Sequence, residues 1–522
     1  MLFRSFEDEK VWDLFKDGKT KGIFQLESNL GKAWSKKVQP KNIEELAALI
    51  SLIRPGTLKA ISEGKSMTQH YVDRKHGRDQ VVYLHDSLAD ILKTTYGVIV
   101  YQEQSMRIAE KLAGFNLQEA DELRKAIGKK KADLMAKVKQ KFFLGCIEKG
   151  IVNEDVAKEI WSWIEKSSRY AFNKSHAVAY AFNAYNSAYY KANDTKKFFL
   201  SYLYHSSEKQ DPHQEVYELV SEAKLFDIDI KIPNIVDYSE KFDIRNGKIY
   251  FGIKDIKSLT GVTGNKVIDT IKKTEETLNK PAKEFTWMDI LIYLSPNINS
   301  TAFKALCSVG FFTNSNTLVS RNRALYEFAV MQELTKTELN WVIEKYTDKA
   351  WTNLVDCFTD LAPTKKNGGG TSSVERSQKI NNEIYYFSNP PYELEDNPEW
   401  IIENERKLLG CPISLAKIEA SDTSSANTSC KEVVNGKTGS NMCIAASINR
   451  ITTCKVKKGK AKGELMAFLT IEDDTCSIDN VVIFPKTRKD YEFILYEGNN
   501  LLFCGSVEKN DGSFIIEKIH EI

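Results

Sequence analysis

Arg169-Tyr170-Ala171-Phe172-Asn173-Lys174-Ser175-His176 is a basic, hydroxyl-bearing loop that runs straight into an alanine- and tyrosine-rich helical pattern. Asn173 or Ser175 can cap that helix, whose first backbone N–H groups then face whatever occupies the loop. A helix N-terminus already carries partial positive charge, so Lys174 and His176 beside it oppose the helix unless an outside anion is bound. The predicted anion is a phosphate. Its bland rival is a capped, solvated helix start. Along 177–191, Ala177, Ala181, Ala184 and Ala188 share one face, with Val178, Phe182, Tyr185 and Tyr189 on the next. That spacing predicts a helix packed on two sides, its aromatics in the core.

A second basic cluster lies upstream. Leu117 to Ile127 predicts a short amphipathic helix ended by Gly128 as a left-handed C-cap. Arg124 and Lys125 fall in its last turn, where cations suit the dipole. Lys129, Lys130 and Lys131 open a following helix (about Ala132 to Lys149), where cations are unfavourable. A polyphosphate or a nucleic-acid backbone accounts for the cluster better than a solvated charge run. Further upstream, Ile53-Arg54-Pro55-Gly56 closes an apolar helix pattern, and Arg54 either caps that helix's carbonyls or adds another cation. Tyr101-Gln102-Glu103-Gln104 follows a turn and a short buried strand as the polar start of another helix.

These blocks, with Gly22-Ile23-Phe24-Gln25-Leu26-Glu27-Ser28, resemble in order and spacing the fingers domain of the bacterial DNA polymerase III alpha subunit, the C-family replicative polymerase. The resemblance extends along essentially the whole chain and weakens after about residue 315. It implies a pocket for the triphosphate of an incoming dNTP. Arg124, Lys125, Lys174 and His176 would touch the phosphates, Arg54 would add to them, and Tyr170 and Asn173 would shape the pocket. Lys129, Lys130 and Lys131 would meet nucleotide or template backbone. Arg169 stands where family members often have a small residue.

In this family the catalytic carboxylates sit on a palm domain that precedes the fingers, and two-metal phosphoryl transfer needs them around ions about 3.5–4 Å apart. No matching segment precedes the fingers blocks here, so catalytic residues are expected to be none in this chain, its metal ligands none, and Mg2+ held by a separate palm-containing chain. Asp227-Ile228-Asp229 is read instead as part of a surface strand over 226–230.

The second half continues the resemblance. Gly261-Val262-Thr263-Gly264 before Lys266 resembles a helix-hairpin-helix, which would offer backbone N–H groups to duplex phosphate through Gly261, Gly264 and Lys266. Residues 363–378 have the composition of a flexible linker. Ile384-Tyr385-Tyr386-Phe387 is the nearest candidate for a sliding-clamp peptide, and a poor match. Five alternating runs over 441–519 predict a small barrel, with an excursion at 486–492. The acid-free Lys455, Lys457, Lys458, Lys460 and Lys462 between its first two strands suit single-stranded template. Glu472-Asp473-Asp474 is assigned no metal.

The expected architecture is therefore multidomain and mainly α, followed by a small all-β OB-like barrel. The parts are fingers (1–213), a helix-hairpin-helix region (214–362), a linker and helical connector (363–440) and an OB-fold domain (441–522). A net charge of +2 makes the basic clusters local rather than global. Nine cysteines without a Cys-x-x-Cys pattern predict thiols in a reducing cytosol and no zinc site. No apolar run approaches the ~18 residues of a membrane span. The expected function is a DNA-directed DNA polymerase component, inactive alone, in a bacterial or phage-infected cytoplasm. It would bind DNA primer-template and dNTP. The alternative is a non-catalytic DNA-binding replication accessory.

Overall fold

Asp8, Ser28 and Asn42 each end a loop and begin a helix, their side-chain oxygens accepting from the N–H groups of Lys10, Gly31 and Glu45 at 2.9–3.1 Å. The computed structural model describes residues 6–129, 132–167, 170–314, 316–457, 459–509 and 512–522, without the side chains of 127–129, 132, 417 and 420. Lys130, Lys131, Arg169 and Lys458, and the side chain of Lys129, lie outside the described residues. The chain is mostly helical, with a five-stranded sheet near its C-terminus. It forms two compact units, Met1–Thr195 and Lys196–Ile522.

In the first unit, helix α1 (Ile43–Leu52) is apolar nearly all round, and Leu46 through Leu52 are buried. Its neighbour is the long helix Lys174–Asn193. There Ala177, Ala181, Ala184 and Ala188 are fully buried, as the alanine spacing predicts. The aromatic face divides: Tyr185 is core, whereas Phe182 is 38% exposed. Glu45 fixes the start of α1 by accepting from the Lys41 N–H and the Tyr96 hydroxyl, each at 2.8 Å, and by pairing with the buried Lys75. Burial pushes its carboxyl up, but these partners outweigh burial and the net direction is down.

Helices α2 (Gln102–Ala113), α3 (Leu117–Lys129), α4 (Ala132–Lys149) and α5 (Glu154–Ser167) enclose a second core around Leu112, Leu123, Phe142, Ile160 and Trp161. The sequence ends α3 at Gly128. The structure instead carries α3 through Gly128 to Lys129. One glycine costs a helix only about 1 kcal/mol, too little to stop it without a left-handed turn. The 174–193 helix is labelled α6.

The second unit begins around helix α7 (Pro212–Lys224) and α8 (Gly261–Leu278), which share a core with the helices that follow. The strand expected over 226–230 is confined to Ile230–Lys231. Asp227 takes a left-handed φ of 54° that breaks extension before it. Nor are the two aspartates aimed at one point: Asp229 pairs with Lys231 and Lys248, and Asp227 with Lys431.

Residues 363–373 are not a free linker. A Cβ on Gly369 would meet the Pro363 carbonyl oxygen at 1.9 Å, and buried Thr371 donates its hydroxyl to the Ala362 carbonyl at 3.0 Å. These glycines permit close packing, which composition alone cannot tell from freedom. Ser373 then caps helix Val374–Ser388. The clamp-peptide candidate lies inside that helix, with Phe387 buried against Phe358 at 5.2 Å. Tyr385 and Tyr386 stay exposed, but on a helix rather than on an extended peptide.

Strands β1 (Gly439–Lys455), β2 (Leu465–Glu472), β3 (Ser477–Ile483), β4 (Asn500–Val507) and β5 (Phe514–Glu521) make the C-terminal sheet. β1 is antiparallel to β4 through its first half and to β2 through its second. β2 pairs with β3, and β5 joins β3 in parallel and β4 antiparallel. Every strand thus has two bonded neighbours around Ile444, Leu469, Val481, Phe503 and Phe514. Helix Pro485–Asp490 overlaps the 486–492 excursion. Glu472 ties the sheet to α7, accepting from Tyr217 at 2.9 Å and Lys224 at 3.3 Å. Asp473 holds a turn by accepting from the N–H groups of Cys430, Thr475 and Cys476.

The register of β1 and β4 sets Cys443 directly opposite Cys504, and the two form a disulfide. This corrects the expectation of thiols throughout. Sixty-one residues separate the pair, so spacing gives no hint of it.

Candidate functional site

The site in the first unit is assembled from three distant segments. Val100 and Phe172 are joined by backbone: Phe172 N–H donates to the Val100 carbonyl at 3.0 Å, and Gln102 N–H to the Phe172 carbonyl at 2.9 Å. Buried Gln104 holds this crossing in place. Its Oε1 accepts from Val100 and Tyr101 N–H at 2.8 and 2.9 Å, and its Nε2 donates to Thr95 Oγ1 at 2.7 Å. The start of α2 is thereby fixed beside the start of α6.

Asn173, not Ser175, is the cap of α6: its Oδ1 accepts from His176 N–H at 2.8 Å. Its Nδ2 donates to Glu103 Oε1 at 2.8 Å, while Glu103 Oε2 accepts the Lys174 N–H at 2.9 Å. The expectation that the first N–H groups of this helix face an outside anion is therefore corrected for those of Lys174 and His176. A carboxylate of the chain already meets that end of the helix, where negative charge is favoured.

Several side chains around this helix start can also meet a ligand. Lys174 Nζ lies 3.0 Å from Glu44 and 5.7 Å from the centre of the Tyr101 ring. The Arg54 guanidinium stacks 3.6 Å over Phe172, whose ring is 5.3 Å from that of His176. His176 in turn meets Tyr180 edge-on at 4.0 Å and is exposed. Arg54, Phe172, His176 and Tyr180 thus form one shelf of a guanidinium and three rings next to Lys174. Tyr170 is half-buried, and burial pushes its phenol well up, keeping it a neutral donor.

Arg124 and Lys125 are each held by a carboxylate of their own helix, α3. Arg124 reaches Asp121 Oδ1 through Nε at 2.8 Å and a terminal nitrogen at 2.7 Å, and Lys125 reaches Asp121 Oδ2 at 2.9 Å. Lys125, then Arg124, hold the Asp121 carboxyl below its usual range. The 121, 124 and 125 spacing is legible in the sequence as i,i+3 and i,i+4 pairs. Glu44 and Glu103 have no such signal, because their partners lie far along the chain.

Two segments of the second unit carry the remaining candidates. Two 3-10 turns, Ile253–Asp255 and Lys257–Leu259, stand where a first hairpin helix is expected, and α8 follows. Gly261 has a φ of 61°, and a Cβ on Gly264 would meet the Leu259 carbonyl oxygen at 2.2 Å. Thr260 makes no side-chain cap bond, and Gly261, Val262 and Lys266 are exposed. On the sheet, the β1–β2 hairpin is closed by Val456 N–H to Glu464 carbonyl at 2.9 Å. Lys455, Lys457, Lys460 and Lys462 on it are exposed and meet no carboxylate among the described residues.

The described residues contain no group of three or more His, Cys, Asp or Glu side chains able to hold a metal ion. Nor is any described helix long and apolar enough to cross a membrane.

Residues 4–150 match the family described as the bacterial DNA polymerase III alpha subunit finger domain. The 169–176 loop lies beyond that match. The chain is similar to the DNA polymerase III subunit alpha of Aquifex aeolicus, at 31% identity over 520 residues, 98% of this chain and 39% of the relative. It is similar to that of Bacillus subtilis, at 30% over 516 residues, 97% of this chain and 40% of the relative. To that of Caulobacter vibrioides it is 40% identical over 254 residues, 49% of this chain and 21% of the relative. The chain spans about two fifths of the length of the relatives it matches end to end.

Proposed function

We propose that this chain is the nucleotide- and DNA-handling part of a template-dependent replicative DNA polymerase. The observation that carries the reading is the convergence at one spot of Arg54, Tyr101–Gln104 and Phe172–His176, three separated blocks of a chain similar throughout to polymerase alpha subunits. Lys174, with Arg124 and Lys125, would neutralise the triphosphate of a dNTP; the Arg54–Phe172–His176 shelf and Tyr170 would orient it. The start of α8 would hold a duplex phosphate through backbone N–H groups, and the lysines of the β1–β2 hairpin would follow a single strand. The last five strands would form an OB-type barrel for that purpose.

Phosphoryl transfer of this kind runs on Mg2+, which supplies charge neutralisation at the reacting phosphate. The described residues do not fit that ion, since Asp227 and Asp229 are taken by lysines and no three His, Cys, Asp or Glu side chains come together among them. The reading assigns the metal-holding carboxylates to a palm of the kind the resemblance implies, on a separate chain of a split, phage-like polymerase or on a longer form of this one. The chain would work in a bacterial cytoplasm.

The test is reconstitution. The chain should confer template-dependent incorporation when mixed with a palm-bearing partner. Lys174→Ala or Arg124→Ala should weaken dNTP binding roughly ten-fold or more, charge-assisted hydrogen bonds being worth about 1.5–3 kcal/mol. Binding unaffected by both changes overturns the nucleotide assignment. Salt should weaken primer-template binding in proportion to the phosphates neutralised.

A further inference from the structure

We propose that the chain's own carboxylates occupy its phosphate-binding cations at rest, so that a nucleotide binds by exchanging with them: Glu44 releases Lys174, and Asp121 releases Arg124 and Lys125. This rests on the nucleotide reading above and names the residues that set its affinity.

Two observations carry it. Each of the three cations is in contact with a carboxylate, at 2.7–3.0 Å. All five side chains remain between 34% and 52% exposed, so an incoming anion can reach them. Exposed pairs of this kind are weak, and a triphosphate offers the same cations more charge and more acceptor oxygens. Asp121 is a particularly close stand-in for a phosphate, since one oxygen takes Arg124 twice while the other takes Lys125.

Glu103 is the internal contrast. It carries the same charge and lies at the same helix start, but it holds the Lys174 backbone and the Asn173 amide rather than an ammonium group. It positions the loop and has nothing to exchange. Removing one charge at Glu44 or at Glu103 should therefore move affinity in opposite directions.

The experiment is calorimetric titration of the full chain with inorganic tripolyphosphate and with a dNTP, at fixed salt, with thermal melts of every variant. Glu44→Gln and Asp121→Asn should each tighten tripolyphosphate binding roughly two- to five-fold, the scale of an exposed ion pair. Glu103→Gln should weaken it. If Lys174→Ala weakens binding but the Glu44 and Asp121 variants do not tighten it, exchange is overturned and the nucleotide reading stands. If all three acidic variants tighten it alike, the effect is general charge and exchange is again overturned. If neither the parent nor any acidic variant binds tripolyphosphate, or Lys174→Ala and Arg124→Ala both change nothing, the nucleotide reading falls as well.

Discussion

Two helix starts in this chain are predicted to meet phosphate, and the structure builds them in opposite ways. At α6 the N–H groups of Lys174 and His176 are satisfied internally, by Glu103 and Asn173, and the side chains of the same two residues stand ready to act. At α8 no side-chain cap is present, and the first turn begins on two glycines, one left-handed and one pressed against Leu259. The first is a start whose shape is held by side chains and whose cations can move. The second is a start whose shape is held by backbone. A basic residue beside a helix N-terminus therefore says little about whether its N–H groups are free.

The sharpest way to break that contrast is Gly264→Ala. The added Cβ at 2.2 Å from a carbonyl oxygen forces the first turn of α8 off its neighbour, and we expect a loss of about 2–3 kcal/mol, read as a lower urea midpoint with weaker duplex binding. An equal melt with intact binding would show that the close approach is dispensable.

A smaller effect belongs to Asp255, in the turn before α8. Burial pushes its carboxyl up to about 7, against the Gly252 N–H it accepts at 2.9 Å. The folded state favours the protonated acid, so its stability contribution is full below the ordinary aspartate range near pH 4 and is lost as pH rises towards about 7. Its partial exposure tempers the size to about 1–2 kcal/mol. Urea midpoints at pH 5 and pH 8 should differ in that direction, and Asp255→Asn should flatten the difference. A parent as stable at pH 8 as at pH 5 would show that this carboxyl is solvated.

The smallest is Glu103→Ala at the start of α6. Two hydrogen bonds go, but water can reach the freed Lys174 N–H, and about 1 kcal/mol is expected. Amide hydrogen exchange at Lys174 should speed up, whereas the same measurement in α8 should not change. Unchanged protection at Lys174 would mean that Asn173 alone holds the turn.

Patterns local in sequence were legible. The alanine stripe of α6, the bounds of α4 and the five C-terminal runs all follow from periodicity, because each is decided by which face a residue presents. Glu44, Glu103 and the Cys443–Cys504 pair were not, since their partners are defined only after folding. Gly369 and Gly370 misled for a different reason. Glycine marks freedom and tight packing alike, and only Pro363 and Trp341 nearby decide which.

The pairing of the C-terminal strands bears on how the chain is made. β1 must wait for β4, some sixty residues later in synthesis, and β3 and β4 both wait for β5. Until Phe514–Glu521 leaves the ribosome, two strand edges stay open to any other nascent chain. A shortfall of those few residues would therefore show itself less as a weak protein than as an aggregating one.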